Sequence, residues 1–175
     1  DQARRIFASS VKADPADIII TSCGTESNNT AIIPTALALE GKGKHLITSA
    51  AEHHAVLHPM HYLEELGFEV TYLSVDDTGR VTLQSVMDAV REDTILVSLM
   101  YANNEVGSIN PIAEIGSFLA EKNILFHTDA VQAFGSETID VRQQHIDLLS
   151  VSAHKINGPK GIGFLYRKNS LHLPN

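Results

Sequence analysis

The sequence predicts a three-layer α/β fold in which a mostly parallel seven-stranded sheet carries helices on both faces. Three observations lead there. Short β-rich runs alternate with longer amphipathic runs from residue 17 onward, the pattern of βαβ units. Most of the short runs are apolar along nearly their whole length, as strands covered on both faces are. No repeat, low-complexity segment or linker rich in Pro, Gly and Ser interrupts the alternation, so one domain is expected to account for the 175 residues.

Taken in order, the elements follow from spacing. Ala3, Ile6, Phe7 and Val11 recur at helical intervals. With no starter Met before Asp1, the chain is expected to enter a domain partway through. Strands are expected over residues 17–22, 45–49, 69–75, 95–101, 124–129, 148–152 and 163–167, and helices over 27–39, 55–66, 83–90 and 112–121. Pro111 suits the first turn of the last helix, where its missing N–H costs nothing. Right-handed crossovers make most of the sheet parallel. The segment from Gly158 to Gly163 turns the chain too quickly for a crossover helix, so the last strand is expected to run antiparallel to its predecessor. Residues 171–175 stop after a strand-like run without a capping element, so a flanking N-terminal segment and a C-terminal small domain are expected to be absent from the chain.

Composition removes several function classes. The net charge of -8 is spread along the chain with no basic block, which argues against nucleic acid as a partner. Cys23 is the sole cysteine, so this chain alone builds no disulfide, iron–sulfur cluster or thiolate zinc site, and a reducing, cytoplasmic setting fits. No apolar run approaches the roughly 18 residues of a membrane span, and the protein is expected to be soluble with no membrane partner.

In open α/β sheets ligands bind beyond the carboxyl ends of the strands, and there the junctions are unusually polar. They read Ser22-Cys-Gly-Thr-Glu-Ser-Asn28, Ala51-Glu-His-His54, Ala102-Asn-Asn-Glu105, His127-Thr-Asp-Ala-Val-Gln132 and Ser152-Ala-His-Lys155. Projected from one sheet edge, they form a pocket from distant segments. A helix beginning near Thr25 would offer free N–H groups and its positive dipole end to a phosphate. Lys155, directly after an apolar run and beside His154, suits an imine-forming amine, which desolvation and neighbouring positive charge would deprotonate. Its bland alternative is a surface lysine closing a strand, and that of Asp129 a capping carboxylate. Two other patterns are read as structural. His54, His58 and His61 share a helix face but lack the companions of a zinc site, so no metal is expected. Gly158-Pro-Lys-Gly-Ile-Gly163 lacks the Gly-Lys-Ser/Thr ending of a phosphate loop and is expected to be a turn with close backbone packing.

The segments Gly24-Thr-Glu-Ser-Asn-Asn29, Glu52-His53, Asn103-Asn-Glu-Val-Gly107, His127-Thr-Asp-Ala-Val-Gln132 and Ser152-Ala-His-Lys-Ile-Asn-Gly-Pro-Lys-Gly161 together resemble the cysteine desulfurases. These are class V members of the fold-type I enzymes that use pyridoxal 5'-phosphate (PLP). The resemblance runs through nearly the whole chain and implies that residues 1–175 are a PLP fold-type I large domain. It implies Lys155 as the Schiff-base lysine and proton carrier, Asp129 as partner of the pyridine nitrogen, and His53 as a ring-stacking group that helps move protons. Asn104 and Gln132 would bind the phenolic oxygen, and Gly24, Thr25, Ser152 and His154 the phosphate region. It further implies L-cysteine as substrate, alanine and a persulfide as products, a homodimer, and a sulfur acceptor or iron–sulfur scaffold protein as partner. The family's persulfide-forming cysteine lies on a mobile segment well beyond the Schiff-base lysine, so Cys23, where relatives usually carry a small residue, is expected to be a core-like side chain; a thiolate tuned by the helix N-terminus is the alternative. A selenocysteine lyase, another class V enzyme, or a non-catalytic PLP-binding or scaffold domain would share much of this pattern.

Overall fold

A computed structural model of the chain describes residues 2–169 and Leu171. Asp1, Ser170 and residues 172–175, on which the expectations about the two chain ends bear, lie outside the described residues. Helix α1 (Gln2–Val11) leads through a 3₁₀ turn (Pro15–Asp17) into β1 (Ile18–Thr21), then α2 (Gly24–Leu39), β2 (His45–Ser49), α3 (His54–Glu65) and β3 (Glu69–Leu73). There follow α4 (Leu83–Ala89), β4 (Thr94–Met100), α5 (Ile112–Glu121), β5 (Leu125–Asp129), β6 (Leu148–Ser152), a second 3₁₀ turn (Ala153–Ile156) and β7 (Gly163–Arg167).

The seven strands form one sheet in the order β1-β7-β6-β5-β4-β2-β3. Pairs from β3 through β6 are parallel, and β7 runs antiparallel to both β6 and β1. The expected reversal at the last strand is therefore present. It is made by Asn157 and Gly161 at positive φ, with Gly158 and Gly163 packed so closely on Ala153 and Val151 that a Cβ would meet their atoms within 3.0 Å.

Alternation along the strands separates two apolar layers. Val97, Leu99, Phe126, Leu149, Val151 and Phe164 pack on the α1, α4 and α5 side, and Leu46, Leu96, Leu148 and Leu165 on the α2 and α3 side. Most boundaries of β1, β3, β4, β5, α3 and α4 shift by a residue or two from expectation, and the shift at α2 is larger. Helix α2 begins a full turn early, at Gly24, because Glu26 reaches back to the Ser22 N–H at 2.6 Å and secures the first turn. Pro111 is the N-cap of α5 rather than a first-turn residue. A Cβ on Gly24 would meet Val131 Cγ2 at 2.6 Å, so glycine is what lets the start of α2 approach the loop after β5.

Candidate active site

The carboxyl ends of β1, β2, β4, β5 and β6 share one sheet edge, and a cavity of about 290 Å³ opens there. Its lining holds all nine residues singled out in the sequence, namely Gly24, Thr25, His53, Asn104, Asp129, Gln132, Ser152, His154 and Lys155. Cys23, Asn28, Met100 and Ala102 join them. The floor is buried and the rim exposed: Asp129, Asn28, Gly24 and Ser152 lie within, whereas Thr25, His53, Asn104, Gln132, His154 and Lys155 are solvent-accessible. The desolvation expected of Lys155 is therefore not a property of this chain, because the second 3₁₀ turn carries it to the mouth of the cavity.

Asp129 ends β5 and is held from two sides. The Val131 N–H donates to Oδ1 at 2.9 Å and the Asn28 amide donates to Oδ2 at 2.7 Å. Burial raises its pKa, opposed by these two donors and by the charge of His53. A carboxyl so placed awaits a cationic or N–H partner from the cavity. Asn28 was not singled out from sequence. The signal was its place one helical turn after Thr25, on the buried side of α2.

Beneath this floor runs a buried polar row. His127 Nδ1 pairs with Ser98 Oγ at 2.7 Å and Nε2 with Ser150 Oγ at 2.9 Å, joining β4, β5 and β6 on the face covered by α2. Each member lies two residues before a cavity residue, Met100, Asp129 and Ser152, and so on the same face of its strand. Burial pushes the His127 pKa down to about 3, so the ring is neutral and donates one hydrogen bond while accepting the other.

Around the rim, His53 caps α3 by accepting the Ala55 N–H on Nδ1 at 3.0 Å, which leaves Nε2 to carry the ring N–H. Asn103 fixes the neighbouring loop by accepting the Glu105 and Val106 N–H groups and donating to Ala51 O. Asn104 thus lines the cavity while Asn103 builds the loop. Ser152 Oγ and His154 Nδ1 pair at 2.8 Å. Cys23 is not core-like: it is the N-cap of α2, partly exposed and on the cavity wall. The Glu26 N–H beside its sulfur lowers its pKa against the opposing effect of burial, and the Ser22 hydroxyl, 3.8 Å away, adds to the lowering. The alternative of a helix-tuned thiol is the one its surroundings favour. His54, His58 and His61 lie exposed along α3, with His54 and His58 ring centroids 5.4 Å apart. Among the described residues no group of three or more potential ligands is arranged to hold a metal, and no helix is long and apolar enough to cross a membrane.

The cavity thus lies at the carboxyl edge of a mostly parallel sheet, with a lysine at its mouth and a carboxyl at its floor. The model of the class-V aminotransferase family matches residues 1–173, and the chain belongs to that family. Its relatives narrow the likeness to cysteine desulfurases. It is 56% identical over 173 residues to the IscS 1 protein of Bacillus subtilis, covering 99% of this chain and 46% of that one. It is 51% identical to the cysteine desulfurase IscS of Clostridium botulinum, again covering 99% of this chain and 44% of the relative. Among solved structures, SspA in complex with cysteine superposes at a TM-score of 0.95 with 43% identity, over 99% of this chain and 50% of that one. DndA from Streptomyces lividans follows at 0.89 and 44%, over 95% and 46%. The chain thus spans about half the length of the curated relatives it matches, and its architecture is that of the fold-type I large domain.

Proposed function

We propose that this chain is the cofactor-holding large domain of a PLP-dependent cysteine desulfurase, which converts L-cysteine to L-alanine and passes the sulfur on as a persulfide. The observation that carries the reading is the convergence of Lys155, Asp129 and the α2 N-terminus on one cavity of a class-V chain. The donor set fits the cofactor. Asp129 is a buried carboxyl suited to a protonated ring nitrogen, and Asn28 Oδ1 beside it is buried without a partner. Thr25, the first N–H groups of α2, and the Ser152–His154 pair form a cup suited to a phosphate.

When bound, PLP supplies a carbonyl for attachment and an electron sink. Every other part of the chemistry falls to side chains. Lys155 would hold the cofactor covalently and, once displaced by the substrate amine, carry the α-proton. Asp129 would keep the ring nitrogen protonated. His53 would lie against the ring with Nε2–H available for proton transfer, and Asn104 and Gln132 would donate to the phenolic oxygen. Support for L-cysteine comes from the relatives' names and from the solved SspA complex.

The reading extends to a cytoplasmic homodimer that serves a sulfur acceptor or iron–sulfur scaffold. Exposed apolar side chains at Ile6, Leu37 and Tyr62 are consistent with further covering surfaces, and the single unpaired cysteine with a reducing compartment. The test is alanine and sulfide release from L-cysteine by the full-length protein carrying PLP, beside its Lys155→Ala form. With a dithiol present to reduce the persulfide and free its outer sulfur as sulfide, equimolar alanine and sulfide, lost in Lys155→Ala, is the expected result. No alanine, or equal turnover by the variant, overturns the proposal.

A further inference from the structure

Glu52 is the one buried glutamate among the described residues, and nothing in the roles above uses it. It sits in the turn after β2, directly before His53, with 6% of its surface exposed. Its Oε1 accepts the Met100 N–H at 2.8 Å, and its Oε2 is buried without a partner. Met100 ends β4 and is paired in register with Asp129 on β5. Two carboxyl groups are therefore gathered around the same point of the sheet edge, shielded from water. Asp129 accepts two hydrogen bonds and Glu52 one.

Two carboxylates in one low-dielectric place cannot both ionise cheaply, and the charge settles on the better-solvated one. We infer that Glu52 is a neutral, protonated carboxylic acid and a positioning residue, leaving Asp129 as the single negative charge on the cavity floor. Its proton resides on Oε2, the oxygen that accepts nothing. The other oxygen, by accepting from Met100, ties the segment bearing His53 to the end of β4. Burial raises the Glu52 pKa well above the usual carboxylate range, and the charge of Asp129 raises it further. The Met100 N–H opposes the rise.

The inference rests on the cofactor reading only for what Asp129 faces; the protonation state of Glu52 is measurable without it. The experiment is infrared spectroscopy of the protein labelled with ¹³C-glutamate side chains, with and without PLP. Glu52 is the one buried glutamate and every other is exposed, so a protonated ¹³C carbonyl band shielded from solvent at about pH 7.5 reports Glu52. Such a band, persisting with PLP bound and disappearing in Glu52→Gln, is expected. Its absence from the wild-type spectrum overturns the inference and requires no variant to fold. A second readout is cofactor affinity, followed by the quenching of protein fluorescence. Glu52→Gln, neutral and of the same shape, should bind PLP within about threefold of wild type, whereas Glu52→Ala, which strands the Met100 N–H, should bind at least about fivefold more weakly. A loss of tenfold or more in Glu52→Gln would show that a charge is needed there. Failure of the wild-type protein to bind PLP would refute the cofactor reading and leave the infrared result standing.

Discussion

Acidification should unfold this protein in part through one histidine. His127 is fully buried, neutral and pinned between Ser98 and Ser150, and its pKa falls from 6.5 to about 3. An unfolded chain exposes the ring and binds a proton near 6.5, whereas the folded chain refuses it. Between those two values the unfolded state holds more protons, so stability falls as pH falls, and the loss is complete only below about 3. From about pH 7.5 to about pH 4.5 the cost is near two units of 1.36 kcal/mol, or about 2.7 kcal/mol. Other carboxyls titrate in the same window, so the effect is isolated by difference. His127→Gln keeps a donor and an acceptor but cannot titrate. Urea unfolding of both proteins at each pH gives the stability gap between them, and that gap should shrink by about 2.7 kcal/mol on acidification. A gap constant to within about 0.5 kcal/mol would refute the claim that His127 is folded neutral and unfolds to titrate.

Three further outcomes follow from the site. Asp129→Ala should retain measurable PLP yet lose most turnover in the full-length protein, because an unprotonated ring is a poor electron sink; near-normal turnover with intact cofactor would place the ring nitrogen elsewhere. Asn28→Ala removes a donor from a buried carboxyl at 2.7 Å and should cost about 1–3 kcal/mol in urea unfolding, with an unchanged midpoint showing that Asp129 does not depend on it. Cys23, with its pKa lowered by the Glu26 N–H, should react with iodoacetamide along a pH profile whose inflection lies below the ordinary thiol value of about 8.5, and an inflection at or above that value would contradict the N-cap geometry.

Most of the frame was legible because it is written in periodicity. The ranges of β2, β6, β7 and α5 agree end to end with the expected runs, and the nine residues singled out meet in one cavity because all end or follow strands whose carboxyl ends share an edge. What was illegible depends on contacts between distant positions. The start of α2 moved a turn earlier because a Glu26 side chain satisfies Ser22, a choice that helix propensity at Gly24 opposes. Glu52 looked like the neighbour of a useful histidine, since its significance arises from a strand residue 48 positions later. His127 is visible in the sequence as a polar residue two before Asp129, but its serine partners lie on two other strands. Cys23 is expected to be core-like because relatives carry a small residue there, with the helix-tuned thiol as the alternative, and it is its place as N-cap of α2 that decides for the second.

Lys155 is the amine proposed to hold the cofactor. Borohydride reduction of the PLP-loaded protein, followed by peptide mass mapping, tests that directly. The mass of the reduced cofactor is predicted on the peptide containing Lys155 and on no other. Label on Lys160 or Lys168, or on no lysine at all, would contradict it.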